Sequence, residues 1–333
     1  MLTIIKYAAL IGSLSLLVIG HSPYLSKKCA PFFAGYAMQF GDLYQKSNLP
    51  EFNKKFGKCG ARHQNTGKKG GNNLFLLGDS FFAALELSSG NFKNAENIYS
   101  VHWLDQLDIP ELPQGRNILI MECVERGLLF DFGFENITID KTLTENRLTE
   151  RRRKNSVAKI VTIESEFFTM KQLLFSDYFS MHVKELKAAL NEKLFNRVDE
   201  NVRLANGWLL FNEETDGFIS SFEKLSDGKI DSIVQRFNQH YKYYKEMGFD
   251  EIYLTIIPNK VSIVAPDYRG RVYNEAATRV KNHGGLLPVF IEMYSLLKKG
   301  NESADMYYRN DTHWNCEGRQ VFYDYVNNNI LNK

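Results

Sequence analysis

Leu74-Phe75-Leu76-Leu77-Gly78-Asp79-Ser80-Phe81 is an apolar run that stops at Gly-Asp-Ser. Four large apolar residues in a row leave no polar face. Residues 73–78 therefore read as a short strand buried on both sides, as in a parallel sheet covered by helices. Gly78 ends the strand, and Phe81 to Leu87 reads as the start of a helix. Ser80 then falls at the strand-to-helix turn, where open α/β sheets collect their ligands. Two readings of this serine stand side by side. It is a helix N-cap, or it is a nucleophile whose helix N-terminus supplies free N–H groups for an oxyanion. Asp79 fits a backbone-bonding structural role better than base chemistry.

Working outward, Ile98–Val101, Asn117–Cys123 and Glu251–Ile257 read as further strands, the last closed by Pro258. Asp231–Met247 is an amphipathic helix carrying Ile233, Phe237 and Tyr244, and Val289–Lys298 and Gly318–Asn328 also read as helices. Strands alternating with helices predict an α/β fold, a parallel sheet covered on both faces. A chain of 333 residues is long enough for one such domain, placed at 71–333. Residues 138–205 are strongly charged and helix-like, including Met181–Val198, and read as a helical insertion or flanking layer. Residues 25–70, rich in Gly, Lys and Asn, read as a linker or approach segment. Their glycines do not form a phosphate-binding loop, because no Gly-Lys-Ser/Thr opens a helix.

Near the C-terminus stands Asn310-Asp311-Thr312-His313-Trp314. On a loop, the Asp-x-His spacing lets Asp311 orient His313 through Nδ1 while Nε2 reaches Ser80. The other reading makes Asp311 the cap of the final helix. Trp314 packs beneath the imidazole or anchors that helix. Together the two motifs supply a serine, a histidine and a carboxylate, the set for acyl transfer.

The net charge of +2 and the lack of a basic stripe interleaved with aromatics give no sign of nucleic-acid binding. Arg151-Arg152-Arg153-Lys154 is a basic run, either a solvated face or a contact for an anionic glycan or lipid headgroup. Lys6 precedes a mostly apolar stretch from Tyr7 to Gly20, the length of a signal-peptide core and short for a membrane span. Residues 1–24 are therefore expected to be a signal peptide or an uncleaved signal anchor, exporting the rest. Of the four cysteines, Cys29 and Cys59 are placed to staple the approach segment in an oxidising compartment, and Cys123 reads as a buried thiol. No metal-ligand spacing appears, so no zinc site is expected, and no cofactor is indicated.

The two site motifs resemble the first and last blocks of SGNH (GDSL-type) hydrolases. Finer features resemble the SGNH-like acetyltransferases of the alginate O-acetylation type. These are Asp311-Thr312-His313-Trp314-Asn315 with Gly318, Ile257-Pro258-Asn259-Lys260, Asn206-Gly207-Trp208-Leu209-Leu210 and Glu122-Cys123-Val124-Glu125-Arg126. The matches span about residues 74–325. In that acetyltransferase family the serine block comes last. Here it comes first, a circular permutation that keeps the ordinary SGNH order. No Gly-x-Asn-Asp block is found, so the asparagine oxyanion donor of the esterases has no counterpart in the sequence.

The resemblance implies a flavodoxin-like three-layer sandwich and an exported, membrane-associated O-acetyltransferase acting on a cell-surface polysaccharide. Ser80, His313 and Asp311 would form its triad. Location would be periplasmic or otherwise extracytoplasmic, at the inner membrane, with a multipass membrane acyltransferase as the partner delivering the acyl group. Two alternatives use the same residues or fold: a carbohydrate acetylesterase, and a non-catalytic glycan-binding or scaffold protein. Secondary candidates each have two readings. Arg126 pairs with Glu122 or faces the cleft. Lys260 is a surface lysine or part of the site. His102 and Trp103 line the cleft or join the core. Tyr307 and Tyr308 donate to substrate or pack.

Overall fold

The computed structural model describes residues 40–56, 59, 71–85, 87, 90–130, 136–140 and 178–332, with residues 6, 7, 10–12, 14 and 15. In chain order the elements are α1 (Asp42–Ser47), β1 (Asn72–Gly78), α2 (Ser80–Ala83), β2 (Ala95–His102), β3 (Leu107–Ile109), β4 (Arg116–Val124), β5 (Ile137–Ile139), α3 (Tyr178–Phe195), β6 (Val202–Ala205), β7 (Trp208–Phe211), α4 (Asn212–Thr215), α5 (Asp227–Glu246), β8 (Glu251–Ile257), α6 (Lys260–Val264), α7 (Ala276–Lys281), β9 (Val289–Ile291), α8 (Met293–Asn301) and α9 (Cys316–Val326). They fall into two compact units. One holds residues 1–56 with 145–199, the other residues 57–144 with 200–333.

The larger unit is α/β. Its central sheet has five strands in the order β2-β1-β4-β8-β9, and every pairing is parallel. Among the sheet's own strands this order is 2-1-3-4-5, a doubly wound arrangement with its switch point between β1 and β4. Side chains alternate across the sheet. Leu74 and Leu76 of β1, Ile118 and Ile120 of β4 and Tyr253 and Ile257 of β8 face one core, completed by Phe81, Met293, Leu297 and Phe322 from α2, α8 and α9. Phe75, Leu77, Leu119, Met121, Ile252 and Leu254 face the other, closed by Ile233, Phe237 and Tyr244 of α5 and Ala277 and Val280 of α7. Leu74 to Leu77 are fully buried, and each contributes roughly 1.5–3 kcal/mol. That explains the uninterrupted apolar run.

Several expected elements differ. Residues 202–205, expected within the helical block 138–205, form strand β6, and residues 42–47, expected within the linker 25–70, form helix α1. The helix expected over Val289–Lys298 begins only at Met293. Val289, Phe290 and Ile291 instead pair with Tyr253, Leu254 and Thr255 as the edge strand β9, and Glu292 caps the helix through its side chain. The helix expected from Phe81 to Leu87 is the single turn Ser80–Ala83. The hairpin β6–β7 turns at Asn206 and Gly207, both at positive φ, which an Asn-Gly pair accommodates in a type I′ turn.

In the smaller unit, the Tyr44 hydroxyl and Asn53 Nδ2 both donate to Glu185 Oε1 of α3, each at 2.7 Å. Most of the segments expected as leader (1–24) and linker (25–70), and the basic run at 151–154, lie outside the described residues. Among the described residues no helix is long and apolar enough to cross a membrane.

The cysteine pairing is a correction. Cys59 is bonded to Cys316, 257 residues away, whereas Cys29 lies outside the described residues. Cys123 is a buried free thiol, as expected. The bridge closes a long loop of the unfolded chain, so Cys59→Ser is expected to lower unfolding stability by about 2–4 kcal/mol. The denaturant midpoint checks this. Identical midpoints with and without reductant in the parent protein would mean that the bridge is absent in solution.

Candidate active site

Parallel strands end on the same edge of the sheet, so the segments after β1, β2, β4 and β8 meet there. Ser80 follows β1, His102 ends β2, Arg126 follows β4 and Lys260 follows β8. The loop between α8 and α9 brings Asp311 and His313 to the same edge. Ser80 Oγ lies 2.8 Å from His313 Nε2, and His313 Nδ1 lies 2.6 Å from Asp311 Oδ1. Exposure is graded along this relay. Ser80 is exposed, His313 half-buried and Asp311 buried. The serine therefore meets solvent while the carboxylate orienting the histidine is shielded from water.

Each motif frees its reactive residue by giving the capping role to a neighbour. Asp79, not Ser80, is the N-cap of α2. Its Oδ1 accepts from the Phe81 N–H at 2.9 Å, and its Oδ2 accepts from the Val124 N–H at 3.0 Å. The backbone-bonding role expected for Asp79 is the one it has. Asn315, not Asp311, caps α9, accepting from the N–H groups of Glu317 and Gly318. Asp311 Oδ1 instead also accepts the backbone N–H of His313 at 2.8 Å. The Ser80 N–H has no acceptor among the described residues. It is therefore available to a developing oxyanion.

The nucleophile turn rests on Glu122. This β4 residue is fully buried, and its Oε2 accepts the Asp79 N–H at 2.9 Å. A Cβ on Gly78 would come within 2.5 Å of that oxygen, so only glycine lets the strand end this close to it. Burial first, then the adjacent Asp79 carboxylate, hold the Glu122 carboxyl well above its ordinary 4.5. Glu125 is also raised by burial, against hydrogen bonds from Tyr273, the Asn259 N–H, Ser262 and Ser221 that favour its charged form.

The histidine loop is braced from the segment that follows β8. Lys260 Nζ donates to the Asp311 carbonyl at 2.8 Å and to the Tyr308 carbonyl at 3.3 Å. The Tyr307 hydroxyl donates to the Pro258 carbonyl at 2.6 Å. Lys260 is fully buried, which corrects the expectation of a surface lysine; its contacts are with the carbonyls of the histidine loop. Packing completes the site from below. The Phe81 ring lies 4.8 Å from the His313 ring and 5.6 Å from that of Trp314. Trp314 is fully buried and also contacts Phe322 of α9. It anchors the loop to the helix and does not line the cleft.

Other candidates separate. Trp103 is core: it is 2% exposed, donates Nε1 to the Glu122 carbonyl and packs on His240. His102 stays half-exposed beside the turn, opposite Gly78 in register, with Nδ1 accepting the Leu104 N–H. Tyr308 donates its N–H to the His313 carbonyl and places its hydroxyl 3.8 Å from Cys316 Sγ. Arg126 does not pair with Glu122. Its Nη1 lies 2.7 Å from Glu214 Oε1, and its guanidinium lies over the Phe81 ring. The imidazole and the guanidinium thus share one aromatic support. Sequence reading missed Glu214, which sits in the short α4 with no motif around it. It also missed the role of Phe81, although that residue adjoins Ser80.

Comparison with protein-family models, with curated proteins and with solved structures returned no match to the chain.

Proposed function

We propose that the chain is a serine-dependent O-acyltransferase of the SGNH type, exported and acting on a cell-surface or extracellular polysaccharide. The observation that carries the reading is the continuous relay from exposed Ser80 through His313 to buried Asp311, at 2.8 and 2.6 Å. In this mechanism His313 Nε2 takes the Ser80 proton as Oγ bonds to the acyl carbon. The C–O bond of the donor then breaks, and His313 returns the proton to the departing oxygen. A sugar hydroxyl next gives its proton to His313 and attacks the acyl carbon, and Ser80 leaves and is reprotonated. General-base catalysis of this kind contributes about 10²–10⁴-fold. One oxyanion donor, here the Ser80 N–H, contributes roughly 10²–10³-fold. The sheet order 2-1-3-4-5 fits the flavodoxin-like fold of that superfamily. The Cys59–Cys316 bridge fits an oxidising, exported location. A membrane acyltransferase supplying the donor is part of the same proposal.

The test is intact-protein mass spectrometry after exposure to an activated acetyl ester, with Ser80→Ala and His313→Ala alongside. An acetyl adduct on Ser80, absent from the Ser80 variant, is expected. Discharge should be faster to added glycan than to water. Discharge to water alone would make the protein an esterase. Folded protein with neither adduct nor turnover would sink the catalytic reading and leave glycan binding.

A further inference from the structure

Helix α3 presents an apolar stripe that nothing in the catalytic reading uses. Val183, Leu186, Leu190 and Leu194 are each 48–68% exposed. At 3.6 residues per turn these four positions fall within about 80° of arc. Glu185, on the opposite side of the helix, is buried and held by Tyr44 and Asn53. The helix is thus pinned by one face with its apolar stripe turned outward. Exposed Lys187 and Lys193 border the stripe on either side, while Lys184, Glu185 and Glu192 lie away from it by the same helical geometry.

We propose that α3 seats on an anionic lipid surface, its aliphatic stripe entering the headgroup region and Lys187 and Lys193 meeting lipid phosphates. An aliphatic stripe with lysines at its edges suits the headgroup region of an anionic bilayer, and lysine stems reach upward from such a position to the charged layer. Pairing with a second copy fits less well. The positions flanking the stripe would bring lysine against lysine, with no acidic residue to answer them. The same compact unit also exposes Tyr7, Leu10, Ile11 and Leu14 from a helical stretch of the N-terminal segment, each 54–64% exposed. A bilayer accommodates two such surfaces at once, whereas a protein groove is shaped for one. The proposal does not depend on the catalytic one.

Hydrogen exchange on the full chain tests this, in phosphatidylcholine vesicles with and without phosphatidylglycerol. The N-terminal segment can hold the chain on both kinds, so retention is not the readout. Exchange over residues 183–195 should slow about tenfold with phosphatidylglycerol, and Leu186→Glu with Leu190→Glu should abolish the slowing. Unchanged exchange over residues 227–246 in the variant would show that the larger unit remains folded. Equal exchange in both vesicle types would overturn the proposal. So would protection already complete without vesicles, which assigns the stripe to another segment of the chain. Protection that grows with protein concentration in the absence of lipid assigns it to a second copy.

Discussion

Asp311→Asn is expected to slow acylation of Ser80 by about 10⁴-fold while leaving the protein folded. Asparagine has the shape of aspartate and can still accept the His313 backbone N–H, now held by Oδ1 at 2.8 Å. It cannot supply the negative charge that balances the imidazolium formed when Ser80 loses its proton. Its amide also lets the ring settle with its proton on the wrong nitrogen. The loop itself should persist, because Lys260 holds it through the carbonyls of Asp311 and Tyr308. Neither contact involves the substituted side chain. The measurement is the second-order rate of Ser80 modification by an activated ester, with circular dichroism as the check on folding. A loss below tenfold in folded protein would mean that Asp311 only shapes the loop.

The part of the site legible in sequence was the part built from local rules. Leu74 to Leu77 announced a strand buried on both faces, and Gly-Asp-Ser announced the turn after it. Sequence left open whether Ser80 and Asp311 were caps, because Ser and Asp are good at both jobs. The answer lay in their neighbours Asp79 and Asn315, which are equally good caps and hold those positions. What could not be read was set by distant partners. Lys260 looks like a surface residue until two carbonyls from a loop some 50 residues later surround its ammonium. Arg126 meets Glu214 from 88 positions away, and no spacing rule connects them. Trp103 suits a cleft wall or a core, and Trp314 a support for the imidazole or an anchor for the last helix, and only distant packing decides. The edge strand β9 was hidden by the next helix: Val289, Phe290 and Ile291 run into Met293, Leu296 and Leu297 with helical periodicity, and pairing to β8 overrides it.

The charge state of Glu122 links the fold to the nucleophile, and Glu122→Gln isolates it. Burial raises this carboxyl well above 4.5, so the folded protein keeps a proton that the unfolded chain releases. Below the ordinary carboxyl value both states are protonated and Glu122 contributes no pH dependence. Above it the folded state binds more protons than the unfolded one, so stability falls as pH rises, by about 1.4 kcal/mol per pH unit. The fall ends when the folded carboxyl itself ionises. Glutamine mimics the protonated acid. Its oxygen can accept the Asp79 N–H, and its amide can donate toward the Asp79 carboxylate. The variant should therefore match the parent near pH 4 and exceed it increasingly from about pH 5 upward. Taking the difference between the two proteins cancels the similar contribution of Glu125. Denaturant unfolding from about pH 4 to 8 reads the effect, and the window stops short of the pH at which thiols and tyrosines titrate. Parallel curves would show that Glu122 is charged in the folded protein, and the turn beneath Ser80 would then hold two adjacent carboxylates. Diverging curves would show that Glu122 keeps its proton in the folded protein. Asp79 beside it accepts from the N–H groups of Phe81 and Val124, so the turn that presents Ser80 is held by backbone hydrogen bonds above a protonated Glu122.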